Sequence, residues 1–281
     1  HALLWGDVVI DVPPDSQVHK QIVRKRAEIR NIQMDPAIRL HYCVVEEPDM
    51  HNPLGDFERL SKALREQWDI EDLEEIDIRE LQSLQKALRD GNWTVTVAVH
   101  RGVRITGIWP GFMDKAYGIA FDIGSTTIAG HLCDLSSGEV LASGGLMNPQ
   151  IRFGEDLMSR VSYIMMNPGG ECDLIDTIQS AISELAKDII EDASVSADKV
   201  LNVTVVGNPI MHHLFLGINP IELGGAPFAL TTNSGMTLWA TEVNLTTVNP
   251  DARVYMLPCI AGHVGADTAG VILSEEPHLR D

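Results

Sequence analysis

The length, composition and charge of the chain limit what the protein can be. It has 281 residues, 44% of them hydrophobic, and a formal net charge of −19. This length predicts about two domains with a sizeable core, and the charge excludes a general binder of nucleic acid or anionic membranes, whose phosphates would be repelled. No run of about 18 apolar residues occurs, so we expect no membrane-spanning helix. The four cysteines lie far apart without a CxxC pair, which indicates reduced, buried thiols in a cytoplasmic protein.

Residues 1–32 are predicted to form a linker. A short alternating strand over residues 7–12 ends at Pro13-Pro14, and a basic cluster follows from Lys20 to Arg30. We interpret this cluster as a solvated face that balances local acids, with docking of an acidic partner or an electron-carrying domain as the alternative.

Residues 33–113 are predicted to form a small α+β domain. A strand over residues 38–45 precedes two amphipathic helices, the second of which ends at Gly91. The alternation of valines with Thr94, Thr96 and Ala98 predicts a half-buried strand, which is followed by a hairpin partner. No catalytic pattern occurs here, so we expect a structural or docking role.

The segment YGIAFDIGSTTIAG, residues 117–130, carries the clearest chemical signal. A short apolar strand leads to Asp122, a turn follows, and a second strand starts at Ile128. Glycine lets backbone N–H groups approach a phosphate, and hydroxyl groups add donors. The turn residues that would bind phosphate are Gly124, Ser125, Thr126 and Thr127. Asp122 would hold Mg²⁺ through water. The alternative is an ordinary β-hairpin.

The remaining chain is predicted to continue the sheet and cover it with helices. Three strands in succession form an antiparallel meander, and helices follow from Leu157 and over residues 174–190. The nearly continuous apolar run over residues 200–206 predicts a strand that is buried on both faces. It ends at Gly207-Asn208-Pro209, and α/β folds place ligands at such strand ends. Arg152, Glu155 and Asp156 are candidates for lining the same cleft, and helix capping is an equal alternative for the two acids.

Three histidines are candidate ligands for a metal. His212 and His213 are adjacent, and His263 lies before the last predicted helix. Neighbouring residues on a helix point about 100° apart, so both rarely bind one ion. We therefore favour packing or surface roles.

The order of these elements resembles the first half of the acetate and sugar kinase, heat-shock chaperone and actin (ASKHA) superfamily. A closer resemblance is to the reductive activators of corrinoid proteins, carried by the strings GDVVIDVPPDSQVHKQIVRKRA, NPLGDFERL, AFDIGSTTIAG, NPQIRFGEDLMSRV, VVGNPIMHHLFLGINP and IAGHVGADTAG. It implies an α/β fold in which a ribonuclease-H-like ASKHA lobe follows the α+β middle domain. This lobe, residues 114–281, would combine an antiparallel meander with parallel strands and helices.

The resemblance also implies a set of site residues. ATP and Mg²⁺ would bind at the turn, with Asp122 and Asp267 as catalytic acids, Asp267 orienting the attacking group. Thr268, Asn208 and Gly265 would line the nucleotide site, and Gly265 would also relieve crowding. Contact with the corrinoid partner is the alternative for Asn208, Arg152, Glu155 and Asp156, and a corrinoid is the alternative ligand of the three histidines. Capping of the last helix is an equally weighted role for Asp267.

The implied function is ATP-dependent activation of a corrinoid protein, with an electron passing from a [2Fe–2S] ferredoxin domain of the same chain to a Co(II) corrinoid. The resemblance also implies a homodimer. It places the ferredoxin domain before His1 and a second ATPase lobe after Asp281, so we expect these 281 residues alone to be inactive. The alternatives are a sugar or carboxylate kinase of the same superfamily and a non-catalytic protein that docks partners.

Overall fold

A computed structural model describes residues 34–275 except residues 72 and 74. The predicted strand at residues 7–12 and the basic cluster from Lys20 to Arg30 lie outside the described residues. None of the helices within the described range has the length and apolar character that crossing a membrane requires.

The first unit is a four-stranded sheet covered on one face by two helices. Its elements are β1 Ile38–Val44, α1 Asp56–Trp68, β2 Glu75–Ile76, α2 Ile78–Asp90, β3 Thr94–His100 and β4 Arg104–Pro110. The strand order is β1-β3-β4-β2. The predicted strand, two helices and hairpin are confirmed, and Gly91 follows α2 as expected. The two-residue strand β2 was not predicted, because it is too short to show a periodic pattern.

Strand β3 is buried on both faces, so the prediction of a half-buried strand is wrong. Val95 and Val97 pack against the helices in one hydrophobic cluster. On the other face, Ala98 is fully buried against Ala116 and Leu201, which follow this unit in the chain. The alternating pattern is present, but Ala98 faces Leu201 of another sheet, and Thr96 is covered by residues 111 and 113, with which it forms hydrogen bonds.

The second unit is a six-stranded mixed sheet with the order β7-β6-β5-β8-β10-β9. Its elements are β5 Tyr117–Ile123, β6 Thr127–Asp134, β7 Val140–Met147, α3 Leu157–Met166, α4 Gly170–Asp192, β8 Val200–Gly207, α5 Pro209–Phe215, β9 Met236–Trp239, β10 Arg253–Met256 and α6 Ala266–Glu275. Strands β5 to β7 form the predicted antiparallel meander, and β5, β8 and β10 run parallel. This arrangement confirms the predicted α/β fold class.

Helix α4 forms one side of the main core. Its apolar stripe, including Ile182, Leu185 and Ile189, is buried against the sheet. A Cβ atom at Gly130 or Gly144 would lie within 2.9 Å of side-chain atoms of Ile189. Small residues on β6 and β7 therefore allow the helix to lie close to the strands, which holds the meander rigidly in place.

The two units meet where β8 and β10 begin. Arg253 at the start of β10 forms an ion pair with Asp77 at 2.5 Å, and Arg79 forms one with Asp251 at 2.9 Å. The Arg253 guanidinium carbon also lies 3.2 Å from the centroid of the Trp239 ring. These contacts join the α+β unit to the sheet at the edge where its parallel strands start.

A buried acid lies at this junction. Glu80 is only 3% exposed, and neither carboxylate oxygen has a hydrogen-bond partner among the described residues. The pKa of Glu80 is raised to about 7, mainly by burial and also by the neighbouring Asp251 and Asp77, against the opposing effect of Arg253. Folding therefore shifts the protonation equilibrium of Glu80 toward the uncharged form, compared with the unfolded chain.

This raised pKa predicts a pH-dependent stability. Unfolded Glu80 would lose its proton near its ordinary pKa of 4.5 and folded Glu80 near 7, so the free energy of unfolding should fall as the pH rises between these values. Glu80→Gln should remove this loss and stabilise the protein above neutral pH by at most about 3 kcal/mol. Thermal unfolding of the full-length protein at pH values of about 5 and about 8 checks it. Glu66→Gln, an exposed site on α1, is the control, and identical pH profiles of both variants would contradict the prediction.

Candidate functional site

The glycine turn, residues 124–127, connects β5 to β6. The N–H group of Gly124 donates a hydrogen bond to the carbonyl oxygen of Thr127 at 3.0 Å. A Cβ atom at Gly124 would lie 2.5 Å from that same oxygen. The turn can close this tightly only because its first residue has no side chain.

The carbonyl groups of the glycine turn are held from the protein interior. Asn148 Nδ2 donates to Gly124 O at 2.9 Å, Arg160 Nη2 donates to Ser125 O at 2.5 Å, and the N–H group of Asn148 donates to Thr126 O at 2.8 Å. Within the part of the chain that the structure describes, the N–H groups of Ser125 and Thr126 donate no hydrogen bond. The turn therefore has its acceptors satisfied and donors available.

Asp122 lies at the end of β5, on the opposite face of the sheet from the α4 core. Phe121 and Ile123 on either side of it are buried in that core, whereas Asp122 is half-buried. In the parallel pairing with β8, Asp122 lies beside Val206. The predicted metal-binding carboxylate is thus placed next to the turn and at the carboxyl end of β8.

Asn208 is the residue that ends β8 and begins α5. Its Oδ1 atom accepts hydrogen bonds from the N–H groups of Ile210 and Met211, both at 3.1 Å. This is an N-cap, followed by Pro209 at the first helical position. The capping oxygen fixes the side chain beside the end of β8.

The loop before α6 lies directly on the end of β8. A Cβ atom at Gly265 would lie 2.6 Å from both the Gly207 oxygen and the Asn208 Cα atom. Asp267 follows in the first turn of α6, where its Oδ1 atom accepts a hydrogen bond from the N–H group of Thr268 at 2.7 Å. The expected close approach at Gly265 is confirmed.

The structure therefore brings the predicted site residues to one edge of the sheet. Strands β5 and β8 are parallel neighbours, so Asp122 with its glycine turn, Asn208, and the start of α6 all gather where these strands end. Ligands of open α/β sheets bind at such edges. The individual roles of Asp122, Asp267 and the turn residues stay predictions.

The acidic segment before α3 has mainly structural contacts. Asp156 caps α3 by accepting the N–H group of Ser159 at 2.7 Å, which is one of its two predicted roles. Arg152 donates to Thr177 Oγ1 at 2.8 Å and stacks on Phe153. Its side chain therefore lies against α4 and not against the glycine turn.

The histidines do not converge. His212 and His213 are buried in α5, whereas His263 is exposed. His213 lies between Pro209 O and the N–H group of Thr231, at 2.9 and 3.0 Å. Burial and, to a smaller extent, the neighbouring His213 lower the pKa of His212 to about 4. Among the described residues no cluster of three or more metal-ligating side chains occurs, so the favoured packing role fits both buried rings.

The cysteines are free thiols, but they are not all buried as predicted. Cys43 and Cys259 are buried, Cys133 is half-buried and Cys172 is exposed. Cys172 lies in the first turn of α4, where the amphipathic pattern leaves one side in water.

Asn148, Gln150 and Arg160 are the site residues that the sequence interpretation missed. Gln150 connects to Arg160, whose Nη1 atom donates to Gln150 Oε1 at 3.3 Å, and Gln150 Nε2 donates to Leu174 O at 2.8 Å. A signal was present, because Arg160 lies three residues after Leu157 and four before Ile164, on the apolar stripe of α3. An arginine at a core-facing position needs buried acceptors.

Comparisons with known proteins agree with this architecture. Residues 117–280 match the family model of the RACo middle region, and residues 27–115 match that of the RACo linker region. The chain belongs to the RACo family. This membership confirms the resemblance to the reductive activators of corrinoid proteins.

Two relatives give the extent of the similarity. The chain is 36% identical over 157 residues to the corrinoid activation enzyme RamQ of Eubacterium limosum, which covers 56% of this chain and 26% of RamQ. A solved structure, the reductive activator for corrinoid, iron-sulfur protein, matches with a TM-score of 0.80 and 28% identity. That match covers 94% of this chain and 44% of the solved one, so the chain spans less than half of either relative.

The contact at Gly265 gives a test of the site's architecture. Gly265→Ala would place a methyl group against the backbone of residues 207 and 208, so the loop before α6 must move away from β8. We expect a loss of roughly 1–3 kcal/mol, measured as a lower Tm of the full-length protein. Gly225→Ala is the matched control, since nothing lies within 4 Å of its added Cβ atom. Equal Tm values for the two variants would show that the loop does not pack as described.

Proposed function

We propose that the chain is part of an ATP-dependent reductive activator of a corrinoid protein. The names of RamQ and of the solved activator support the corrinoid part of this proposal. The observation that carries the ATP part is the glycine turn. Three of its four carbonyl groups are bonded from the interior, whereas the N–H groups of Ser125 and Thr126 donate to none of the described residues. The oxygens of a phosphate group accept hydrogen bonds from N–H groups and are repelled by carbonyl oxygens.

The residues present fit ATP with Mg²⁺. Backbone N–H groups and the hydroxyls of Ser125, Thr126 and Thr127 would bind phosphate oxygens, and Asp122 would hold a water of the hydrated metal. Asp267, in the first turn of α6, would orient the attacking group. When bound, ATP supplies the phosphoanhydride bond whose cleavage accompanies activation. Asn208, Gly265 and Thr268 would shape the same side of the nucleotide site.

The electron would come from a [2Fe–2S] ferredoxin domain in the same chain and reach a Co(II) corrinoid in the partner protein. In this proposal the α+β unit and residues 1–32 connect the ferredoxin domain to the nucleotide-binding lobe of residues 114–281. The protein would act as a cytoplasmic homodimer. Binding of the nucleotide would favour the conformation that binds the corrinoid partner, as any ligand favours the state it binds better.

A small-molecule kinase is the second candidate, because the same turn and acid would serve phosphoryl transfer to a sugar or carboxylate. Phosphate release by the full-length protein separates the two. Stimulation by a corrinoid protein supports the activator, and stimulation by sugars or carboxylic acids supports the kinase. A protein that binds no ATP–Mg²⁺ would instead be a docking protein.

The role of Asp122 can be tested directly. Asp122→Asn in the full-length protein should abolish Mg²⁺-dependent ATP hydrolysis without unfolding it, because the amide is neutral and binds a hydrated cation poorly. Phosphate release is measured at several Mg²⁺ concentrations. Asp188→Asn, on the exposed side of α4, removes the same charge away from the turn and should keep full activity. Unchanged hydrolysis by Asp122→Asn would remove Asp122 from the mechanism.

A further inference from the structure

We infer that Arg160 is the positioning residue of the phosphate site, which sets the direction of the glycine turn and supplies positive charge behind it. This inference rests on the proposed function and deepens it. Arg160 is fully buried in α3. Its guanidinium donates to Ser125 O at 2.5 Å, to Gly154 O at 3.0 Å and to Gln150 Oε1 at 3.3 Å.

The first argument is geometric. The planar guanidinium holds acceptors from two separate segments, namely Ser125 of the glycine turn and the short helix of residues 149–153 with its C-cap Gly154. Because the fork is rigid, Ser125 O is fixed relative to α3. A peptide group whose carbonyl is fixed has its next N–H direction fixed as well, since the peptide unit is planar. The N–H group of Thr126 is therefore aimed by Arg160.

The second argument concerns charge. No carboxylate forms an ion pair with Arg160 within the described residues, and its bonded acceptors are neutral. Burial lowers the pKa of Arg160, and only Asp156, which is exposed and caps α3, acts against this. Arginine nonetheless stays charged in proteins. A buried cation without a paired anion is costly, and an anion bound to the neighbouring turn would offset part of that cost.

A packing role predicts a different outcome from a positioning role. Arg160 also contacts Met211 Sδ at 3.6 Å, so its replacement will affect stability in either case. Only the positioning role predicts that ligands with phosphate lose more affinity than the same ligands without phosphate. The selectivity between ATP and adenosine therefore separates the two.

The test uses the full-length protein with Mg²⁺, and measures the Kd of ATP and of adenosine by competition with a fluorescent ATP analogue. Arg160→Met keeps a similar volume but removes the charge and the donors. We expect the Kd of ATP to rise roughly 10- to 100-fold and that of adenosine to change little. Arg152→Met, the matched control, removes an exposed arginine eight residues earlier and should preserve the ratio of the two Kd values.

The outcomes distinguish this inference from the proposed function. If the unmodified protein binds ATP no more tightly than adenosine, both are overturned. If it prefers ATP and folded Arg160→Met keeps the same ratio, only the role of Arg160 is overturned. If Arg160→Met does not fold, Arg160→Lys decides, because lysine keeps the charge but cannot hold Ser125 O and Gly154 O together. A folded lysine variant with an unchanged ratio would overturn the inference, and a reduced ratio would support it.

Discussion

The hydrogen bonding of the glycine turn from inside the protein is the constraint on which the site depends. A turn of four residues has more polar backbone groups than it can pair internally, and each must find a partner or water. Asn148 and Arg160 donate hydrogen bonds to the carbonyl groups of Gly124, Ser125 and Thr126. Because a planar trans peptide unit points its N–H group opposite to its carbonyl group, the N–H groups of Ser125 and Thr126 are directed away from the interior. The chemical character of this edge is therefore decided by residues that do not touch its surface.

The two ends of the parallel strands carry different parts of the molecule. Strands β5, β8 and β10 are parallel, so their carboxyl ends carry the turn, Asn208 and α6, whereas their amino ends carry the α+β unit through Arg253 and Asp77. Glu80 is buried at this second end without a hydrogen-bond partner among the described residues. Any motion that separated the units would return Glu80 to water and relieve its desolvation. The burial of Glu80 therefore makes the packing of the two units less favourable as the pH rises.

The sequence pattern predicted those elements whose structure is determined by interactions within a few residues. The strand, Asp122 and the glycine turn were found because the strand period and the glycine requirement act within a few residues, and the apolar stripe of α4 fixed that helix in the same way. The burial of β3 was not found, because Ala98 is covered by Leu201 of the second sheet, which is far away in sequence, and Thr96 by the segment after β4. Arg160 was missed for a similar reason: its acceptors lie up to 35 residues away, and the capping acid Asp156 beside it suggested an ordinary exposed helix start.

The net charge of −19 does not prevent phosphate binding, because the distance between the charges and the site limits their effect. Charges at the protein surface are screened over about 8 Å at physiological ionic strength, so most carboxylates are too far from the glycine turn to repel a ligand there. The guanidinium of Arg160 acts from one hydrogen bond away and in a medium of low dielectric constant, where its field is screened least. A hydrated Mg²⁺ at Asp122 would add positive charge on the ligand's other side. Affinity for a polyphosphate should therefore follow these few local groups and not the overall charge.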